Sequence, residues 1–584
     1  MSNYRASANP YKLKILFLTH SFNCLTQRLF VELTQLGHDI SIEFDISDAV
    51  TCEAVELFQP DLIIAPFLKR AIPEKIWRKL TCFIAHPGIV GDRGPSALDW
   101  AIMQNQSEWG VTVLQANAEM DAGNIWATEL FPLRYASKSS LYRHEVVEAA
   151  TGAVLTAIKR FLSGSYRPTP LDYSHSDVRG RLHSPMRQID RSIDWRQDNT
   201  RIVIRKIHAA DGFPGVLDTL FGESYYLFDA YHEEKLTGEP GTIIAKRNNA
   251  ICRATIDGAV WIGHLKHKND TEQTFKLAAT MVLKNHLDDV PEIPSDPFAV
   301  KLGETYRDIW FEQKNDVGYL HFVFYNGAMD TTQCERLRDA YLAATERKVR
   351  VIVLMGGSDF WCNGIHLNHI ENATSPADES WRNINAMNNL VQTIITSNRQ
   401  LTIAALQGNA GAGGVFLSLA ADYIYTRASI ILNPHYKSMG NLYGSEYWTY
   451  LLPRRVSSSN AKLLIQNRLP VGTMEARNIG LIDDYFNLNP EDFRKKIRSI
   501  AETLAARPDF PSLLQQKIHQ RQSDEQQKPL QSYRDHELKH MQLNFYGFDP
   551  SYHVARYHFV HKSPHAWTPR YLAQHRRFFT NHNQ

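Results

Sequence analysis

The chain has 584 residues, of which 43% are hydrophobic and 22% are charged, and its formal net charge is +2. This length is too great for one hydrophobic core, so several domains are expected. The balanced charge excludes a strong electrostatic signal for nucleic acid, and the lack of an apolar run of about 18 residues excludes a predicted membrane span.

The cysteines and the opening residues indicate a cytoplasmic protein. The six cysteines include no CxxC pair, so neither a disulfide framework nor a metal site is predicted. The opening sequence MSNYRASANPYK lacks the apolar core of a signal peptide.

The first 165 residues alternate short apolar runs with amphipathic segments. Strands are predicted at 11–19, 38–45, 61–67, 81–87 and 110–116, and helices at 24–36, 95–106 and 139–162. This alternation is typical of a parallel sheet with crossover helices. Residues 1–165 are therefore predicted to form one doubly wound α/β domain.

The middle of the chain predicts a linker and a small β domain. The polar, turn-rich stretch 166–183 is interpreted as the linker. A helix at 200–210 precedes four short strands separated by turn signals, at 224–231, 241–246, 250–256 and 259–265. We expect a small barrel-like (OB-type) domain over residues 183–290.

A second strand–helix alternation follows, and the fold class is therefore multidomain α/β. Strands are predicted at 317–324, 349–356 and 401–408, with helices at 331–347 and 381–396. The predicted domain covers residues 314–500, and residues 501–584 are expected to be a helical C-terminal extension.

A candidate site follows the strand at 81–87. The run HPGIVGDRGPSALDWAI (86–102) ends this strand and opens a helix, and ligands bind beyond the carboxyl ends of strands in open parallel sheets. His86 stands at such an end, and Asp121 lies in the turn MDAG. A carboxylate there could fix the tautomer of the imidazole and stabilise its cation. The alternative is that His86 only caps a loop.

These motifs, with WGVTV and MDAGNI, resemble the formyl-tetrahydrofolate enzymes over residues 11–165. The segment 183–268, with SIDW, FPG and PGTII, is similar to the C-terminal domain of methionyl-tRNA formyltransferase. The resemblance implies 10-formyl-tetrahydrofolate as formyl donor and His86 with Asp121 as catalytic residues. The residues that it implies for folate binding are Gly88, Arg93 and Gly94.

The sequence departs from this family at Ile84. The family has an asparagine at this position, which donates a hydrogen bond to the oxyanion that forms at the formyl carbon. Isoleucine has no donor, and loss of such a donor typically costs about 10²–10³ in rate. Either another donor substitutes, or the transfer chemistry has changed, or the module binds folate without reacting.

Two glycine-rich loops in the second α/β domain form the other candidate site. GGSDFWCNGIHL (356–367) and LQGNAGAGGVFL (406–417) each follow a strand. A pair of such loops can direct two N–H donors at one carbonyl oxygen. The alternative is that these glycines serve only close helix packing.

These loops, with YNGAM and the run 461–483, resemble the crotonase (enoyl-CoA hydratase/isomerase) superfamily over residues 314–490. The resemblance implies coenzyme A as ligand and the N–H groups of Ile365 and Gly413 as oxyanion donors. It further implies CoA-binding positions at Gly364, His366, Gly411 and Gly414.

Both glutamates of the hydratases are absent. Phe416 occupies the first position, and the second falls at His435–Tyr436, so hydration of an enoyl-CoA is not expected. The nearby residues Tyr436 and Glu446 are predicted to form a proton relay. The alternatives are a core tyrosine and a glutamate placed by the helix dipole.

The fusion of the two modules, together with GDRGPS, LDW and PHYKSMG, resembles the HypX (HoxX) family of hydrogenase maturation factors along nearly the whole chain. The resemblance implies transfer of formyl from 10-formyl-tetrahydrofolate to coenzyme A, then decarbonylation of formyl-CoA to CO. The implied protein partners are hydrogenase maturation proteins or the hydrogenase large-subunit precursor.

Three other functions are also compatible with these residues: another formyltransferase, a formyl-CoA hydrolase and a non-catalytic maturation scaffold. The basic, aromatic tail at 552–579 could cover an active site, bind a partner or pack on the surface, and we expect the last of these.

Overall fold

The computed structural model describes residues 12–269, 273–300 and 303–577. Residues 1–11, on which the expectation of no signal peptide rests, lie outside these ranges. The chain divides into two compact units. Unit 1 comprises residues 1–194, 201–218 and 564–584, and unit 2 comprises residues 195–200 and 219–563.

Unit 1 is built on a sheet with the strand order β2-β1-β3-β4-β5-β6. The strands are β1 (Lys14–Thr19), β2 (Asp39–Phe44), β3 (Leu62–Ala65), β4 (Cys82–His86), β5 (Glu108–Gln115) and β6 (Ile125–Pro132). Strands β1 to β4 are parallel as expected, whereas β5 and β6 are antiparallel to their neighbours. The connection 116–124 is shorter than the dozen or so residues that a parallel crossover needs, so β5 and β6 pair antiparallel.

The helices of unit 1 begin at residues that cap them. Asn23 and Ser47 accept the N–H groups of Thr26 and Val50 and so start the first two helices. The helices are α1 (Cys24–Gln35), α2 (Asp48–Phe58), α3 (Glu74–Trp77), α4 (Ala97–Met103), α5 (Lys138–Leu141) and α6 (Val147–Ser163). A single π-helical turn at Tyr142–Val146 joins α5 to α6.

A small antiparallel sheet in unit 2 has the order β8-β11-β10-β9, and β12 also pairs with β11. The elements of this part of the chain are α7 (Thr200–Ala210), β7 (Val216–Leu220), β8 (Glu223–Glu233), β9 (Ile243–Arg247), β10 (Ala250–Ala254), β11 (Ala259–His267), β12 (Leu277–Ala278) and α8 (Ala279–Leu283). Among the described strands β9 pairs with β10 alone, so the expected barrel does not close.

Two further sheets of unit 2 have the orders β13-β14-β15-β17-β19-β22 and β16-β18-β20-β21. Their strands are β13 (Ile309–Lys314), β14 (Val317–Phe322), β15 (Val351–Leu354), β16 (Phe360–Cys362), β17 (Leu401–Leu406), β18 (Asn409–Gly411), β19 (Tyr423–Arg427), β20 (Ile431–Asn433), β21 (Val471–Gly472) and β22 (Asp484–Phe486). Every residue of β14, β15 and β17 is buried, as in parallel sheets covered on both faces.

Helices follow these strands and continue beyond them. They are α9 (Thr331–Thr345), α10 (Leu367–Asn372), α11 (Pro376–Ile395), α12 (Gly413–Leu419), α13 (Trp448–Arg455), α14 (Ser458–Asn467), α15 (Thr473–Asn478), α16 (Pro490–Ala505), α17 (Phe510–Gln527), α18 (Leu530–Tyr546) and α19 (Ser551–His561). The described residues contain no helix long and apolar enough to cross a membrane. The predicted multidomain α/β class is confirmed.

The tail that we expected on the surface packs partly into unit 1, along the edge strand β2. The N–H of Ile42 donates to the carbonyl of Leu572 at 3.1 Å, which closes part of the open edge of the sheet. Glu43 is fully buried under this segment and accepts hydrogen bonds from Thr568, from His575 at 2.9 Å and from Arg576 at 2.6 Å. A buried carboxylate is stable only with such partners, so the tail and Glu43 require each other.

We predict that Glu43→Gln weakens unit 1 by about 3 kcal/mol, because it leaves Arg576 and His575 without their buried anion. Glu53→Gln is the matched control, since Glu53 pairs with Arg576 at 2.9 Å but its side chain is 57% exposed, and we expect a loss below about 1 kcal/mol. Thermal denaturation and hydrogen exchange of residues 564–577 measure both variants. Equal effects would contradict the prediction.

The same contact predicts a pH dependence. Burial opposes ionisation of Glu43, but its hydrogen bonds to His575, Thr568 and Arg576 outweigh burial and lower its pKa below the usual 4.5. The carboxylate therefore stabilises unit 1 fully above pH 4.5, and this stabilisation is lost as the pH falls below that value. Glu43→Gln should flatten this acid limb in a pH series of denaturation midpoints.

Candidate functional site

His86 lies at the carboxyl end of β4 and faces two carboxylates. Its Nε2 lies 2.8 Å from Asp92 Oδ2, and its Nδ1 lies 3.5 Å from Asp121 Oδ2. His86 is 5% exposed and Asp92 is 1% exposed, so the nearer pair is buried. The sequence predicted Asp121 as the partner of His86, and the structure adds Asp92 as a closer one.

Glycines leave the space that the contacts of His86, Asp92 and Asp121 need. A Cβ at Gly88 would overlap the ring of His86 and the carboxylate of Asp92. The backbone N–H of Gly94 donates to Asp121 Oδ2 at 3.1 Å, with Gly94 at φ +110°. Arg93 donates from Nε to the carbonyl of Met120 at 2.8 Å, so it holds the turn that carries Asp121.

The predicted linker packs on this glycine-rich loop. The backbone N–H of Arg93 donates to the carbonyl of Arg181 at 3.2 Å, and the backbone N–H of His183 donates to the carbonyl of Arg93 at 2.9 Å. The Nδ1 of His183 lies 3.0 Å from Asp92 Oδ1, so Asp92 bridges two imidazoles. A Cβ at Gly94 would collide with the carbonyl of His183, so the glycine permits this close approach. Residues near 183 are therefore part of the site and do not act as a free linker.

Ile84 lies two residues before His86 on β4, opposite Leu114 of β5. It packs with apolar residues beside the sheet and offers no donor. The position of the family asparagine is thus apolar in the structure as well as in the sequence.

The second site brings the two predicted glycine loops together in unit 2. An added Cβ at Gly364 would lie 3.3 Å from the backbone nitrogen of Gly413. Gly413 is the first residue of α12, where backbone N–H groups have no helical acceptor. Among the described residues, the N–H groups of Ile365 and Gly413 have no hydrogen-bond acceptor. Both are available to a carbonyl oxygen.

Tyr436 and Glu446 meet beside these donors. The Tyr436 hydroxyl donates to Glu446 Oε2 at 2.6 Å, and a Cβ at Gly413 would overlap the Glu446 carboxylate. Burial, reinforced by the Glu537 charge, raises the pKa of Glu446 to about 7, although hydrogen bonds from Tyr436 and the Ser445 N–H act in the other direction. Burial and the Glu446 carboxylate raise the pKa of Tyr436 well above 10.

Phe416 closes the apolar side of this pair. It is fully buried, and its ring stacks on Tyr436 with a centroid distance of 5.3 Å and an angle of 14° between the planes. The side chain at the position of the first hydratase glutamate therefore supports the phenol sterically and carries no proton.

The backbone that carries Glu446 is strained. Glu446 and Tyr447 have φ of +59° and +58°, a left-handed conformation that side chains rarely adopt and that costs about 1 kcal/mol or more per residue. Asn388 Oδ1 accepts the N–H of Glu446 at 2.8 Å, and Glu537 of α18 accepts the N–H of Tyr447 at 2.9 Å. Partners from two helices thus hold the turn.

The other predicted CoA-binding positions are structural neighbours of the donors. Gly414 cannot carry a Cβ, because it would overlap the carbonyl of Cys362, whereas Gly411 has only Asn363 nearby. The ring of His366 accepts the N–H of His369 and caps α10. The cavity that His366 and His369 line also includes Asp229 and His264 of the small sheet, and Tyr325 in the short turn that follows β14.

Four residues of the two sites were not predicted from the sequence: Asp92, His183, Asn388 and Glu537. Asp92 carried a signal, because it is an acidic residue inside the glycine-rich loop. His183, Asn388 and Glu537 carried none, because each reaches its site from a segment distant in sequence.

Comparison with known proteins matches three family models to the chain. The formyl transferase model matches residues 45–158, and the formyl transferase C-terminal domain matches residues 185–279. The enoyl-CoA hydratase/isomerase model matches residues 325–568. The fold and the two sites define a protein that joins a formyltransferase module to a crotonase-type module, as both sequence resemblances predicted.

Two relatives cover almost the entire chain. Hydrogenase maturation factor HoxX of Bradyrhizobium diazoefficiens is 51% identical over 564 residues, which are 97% of this chain and 97% of that protein. Crystal structures of HypX from Aquifex aeolicus, one of them in complex with tetrahydrofolic acid, are 47% identical with a TM-score of 0.94, covering 97% of this chain and 99% of theirs. The chain belongs to the HypX/HoxX family of hydrogenase maturation factors.

The geometry at His86 predicts unequal effects of its two carboxylates. Asp92→Asn should lower the rate of formyl transfer from 10-formyl-tetrahydrofolate by about 10² or more, because the nearer and more buried partner of the imidazole loses its charge. Asp121→Asn should cost less, since this carboxylate lies 3.5 Å away. Asp48→Asn, with a side chain 66% exposed, is the control. A larger loss in Asp121→Asn would contradict this ranking.

Proposed function

We propose that this protein makes the CO ligand of [NiFe]-hydrogenase by transferring formyl from 10-formyl-tetrahydrofolate to the thiol of coenzyme A and then decarbonylating formyl-CoA. The observation that carries the proposal is the buried Tyr436–Glu446 pair against the oxyanion donor Gly413. The formyl-transfer step is supported by the close relationship to HoxX, a hydrogenase maturation factor, and to HypX, whose crystal structure was determined with tetrahydrofolic acid.

In the first step, the CoA sulfur adds to the formyl carbon and the bond to the folate nitrogen breaks. The proton of the thiol ends on that nitrogen, so the products are tetrahydrofolate and formyl-CoA. His86 carries this proton, and the carboxylates of Asp92 and Asp121 stabilise its cationic form. Gly88, Arg93 and Gly94 shape the loop that contacts the folate.

In the second step, the N–H groups of Ile365 and Gly413 bind the thioester oxygen. Glu446 removes the formyl proton, the C–H electron pair remains on carbon, and the C–S pair leaves with sulfur. The products are CO and a thiolate, which Tyr436 and Glu446 reprotonate to coenzyme A. Gly364, His366, Gly411 and Gly414 form the surrounding CoA-binding loops.

The pKa of Glu446 suits this role. A general base works best when its pKa lies near the operating pH, and the Glu446 pKa of about 7 meets this condition. The stacked ring of Phe416 removes space for water beside the phenol, which disfavours hydrolysis of formyl-CoA to formate. A scaffold without activity would have no use for a backbone donor, Gly413, beside a buried acid.

Glu446→Gln should lower CO release from formyl-CoA by about 10²–10⁴, because the amide cannot accept the formyl proton. Glu491→Gln removes a glutamate whose side chain is 70% exposed and should leave the rate unchanged. Incubation with 10-formyl-tetrahydrofolate labelled at the formyl carbon, with and without coenzyme A, shows the product. Labelled formate without labelled CO would favour the hydrolase, and labelled formyl on an amine would favour another formyltransferase.

The rate of CO release should rise with pH through about 7 and then level off. Glu446 must be ionised to act as a base, and its pKa of about 7 sets the midpoint. Tyr436 keeps its proton over this range because its pKa is raised well above 10. Steady-state rates of CO release from formyl-CoA, measured from about pH 5.5 to about pH 9 in steps of about half a pH unit, test this profile. A rate that falls between pH 6 and 8 would contradict Glu446 as the base.

A further inference from the structure

Glu537 is a fully buried carboxylate of α18 that no step above uses. Its Oε2 accepts the N–H of Tyr447 at 2.9 Å and lies 3.2 Å from the Ser445 hydroxyl. Its Oε1 accepts the N–H and the hydroxyl of Thr449 at 2.8 and 2.6 Å. Four donors of one short segment, residues 445–449, therefore converge on a single side chain.

This segment is the turn that aims Glu446. Its left-handed residues, Glu446 and Tyr447, leave the first turn of α13 without a cap, because the side chain of Tyr447 at the N-cap does not bond to the N–H groups of this turn. The N–H groups at such a helix start need acceptors. Glu537 supplies them from a helix that is 90 residues away along the chain.

Glu537 also affects the charge around the proposed base. The ionisable groups facing Glu446 in the described structure are Tyr436 on the preceding loop, Cys334 on α9, Cys362 on β16 and Glu537 on α18. Burial raises the pKa of the phenol and of both thiols, which keeps them neutral. Glu537 is thus the group whose negative charge favours the protonated form of Glu446.

We propose that Glu537 is a positioning residue of the second site: its carboxylate holds the left-handed 446–447 turn, and this turn holds the Glu446 carboxylate against the oxyanion donor Gly413. This inference rests on the proposed decarbonylation, because Glu446 is the base of that reaction. It gives one residue of the C-terminal extension, Glu537 of α18, a positioning role in the second site, although this residue does not touch the substrate.

Glu537→Gln tests the proposal. The glutamine amide presents one acceptor and one donor to four donors, so at least one N–H of the turn loses its partner and Glu446 shifts. Since a misplacement of about 1 Å can cost about 10² in rate, kcat for CO release from formyl-CoA should fall by about 10–100-fold. KM should change less than about threefold, because the oxyanion donors and the CoA loops are untouched. An unchanged kcat in a folded variant would overturn the proposal.

Two readouts separate positioning from general destabilisation. Hydrogen exchange of the Tyr447 and Thr449 amides should accelerate in Glu537→Gln while exchange in the strands of unit 2 stays the same. The rising limb of the pH–rate profile should move to lower pH, because Glu446 loses a negative neighbour. A loss of kcat with neither change would mean that Glu537 has only a structural role.

Two further variants complete the experiment. Asp535→Asn removes an exposed carboxylate from the same helix, two residues from Glu537, and should leave kcat, exchange and pH profile unchanged. Thr449→Val removes one hydrogen bond to Glu537 and should lower kcat several-fold without unfolding the protein. If Glu537→Gln does not fold, the kcat of Thr449→Val tests the proposal instead. A wild-type kcat in this variant would overturn the proposal.

Failure of the proposed function gives a different result. Wild-type protein that releases no CO from formyl-CoA would refute the decarbonylation itself. Hydrogen exchange at Tyr447 and Thr449 would still show whether Glu537 holds the turn, because this readout needs no turnover.

Discussion

The second site depends on one steric constraint: the Glu446 carboxylate occupies space beside Gly413 that a β-carbon would fill. The missing side chain lets an acid approach the backbone N–H that is free to bind a carbonyl oxygen. The first site repeats this principle, because Gly88 leaves room for the contact between His86 and Asp92. In both modules, a glycine without a side chain leaves room for a buried carboxylate at the centre of the candidate site.

Bringing carboxylates into such places requires compensation, because burial removes their hydration. Glu43, Glu446 and Glu537 are each almost fully buried, and each has several hydrogen-bond donors. For Glu43 these donors outweigh burial and the pKa falls, whereas for Glu446 and Glu537 burial wins and the pKa rises to about 7. The difference separates Glu43, which stabilises structure as an anion, from Glu446, which can exchange a proton at neutral pH.

The sequence beyond residue 501 contributes to both units. Helix α18 provides Glu537 to the turn at Glu446, and residues 564–577 cover β2 of unit 1 through Glu43. The second contribution differs from the surface packing expected for residues 552–579, whereas α18 belongs to the expected helical extension. Phe416 replaces the first hydratase glutamate and Ile84 replaces the formyltransferase asparagine, and both are apolar. The second glutamate position falls at His435–Tyr436, so the proposed chemistry uses the polar groups that remain.

The sequence alone determined the fold class, the family resemblances and the loops of the candidate sites, because glycine-rich loops after buried strands have a local signature. It also placed Tyr436 and Glu446 near each other, since only ten positions separate them. The tertiary structure alone decided that residues near 183 contact the first site, that the small sheet stays open and that Glu537 accepts the N–H groups of Tyr447 and Thr449. These features depend on contacts between distant segments, and a polar residue in a linker or on an amphipathic helix has no sequence pattern that reveals its partner across 90 or more positions.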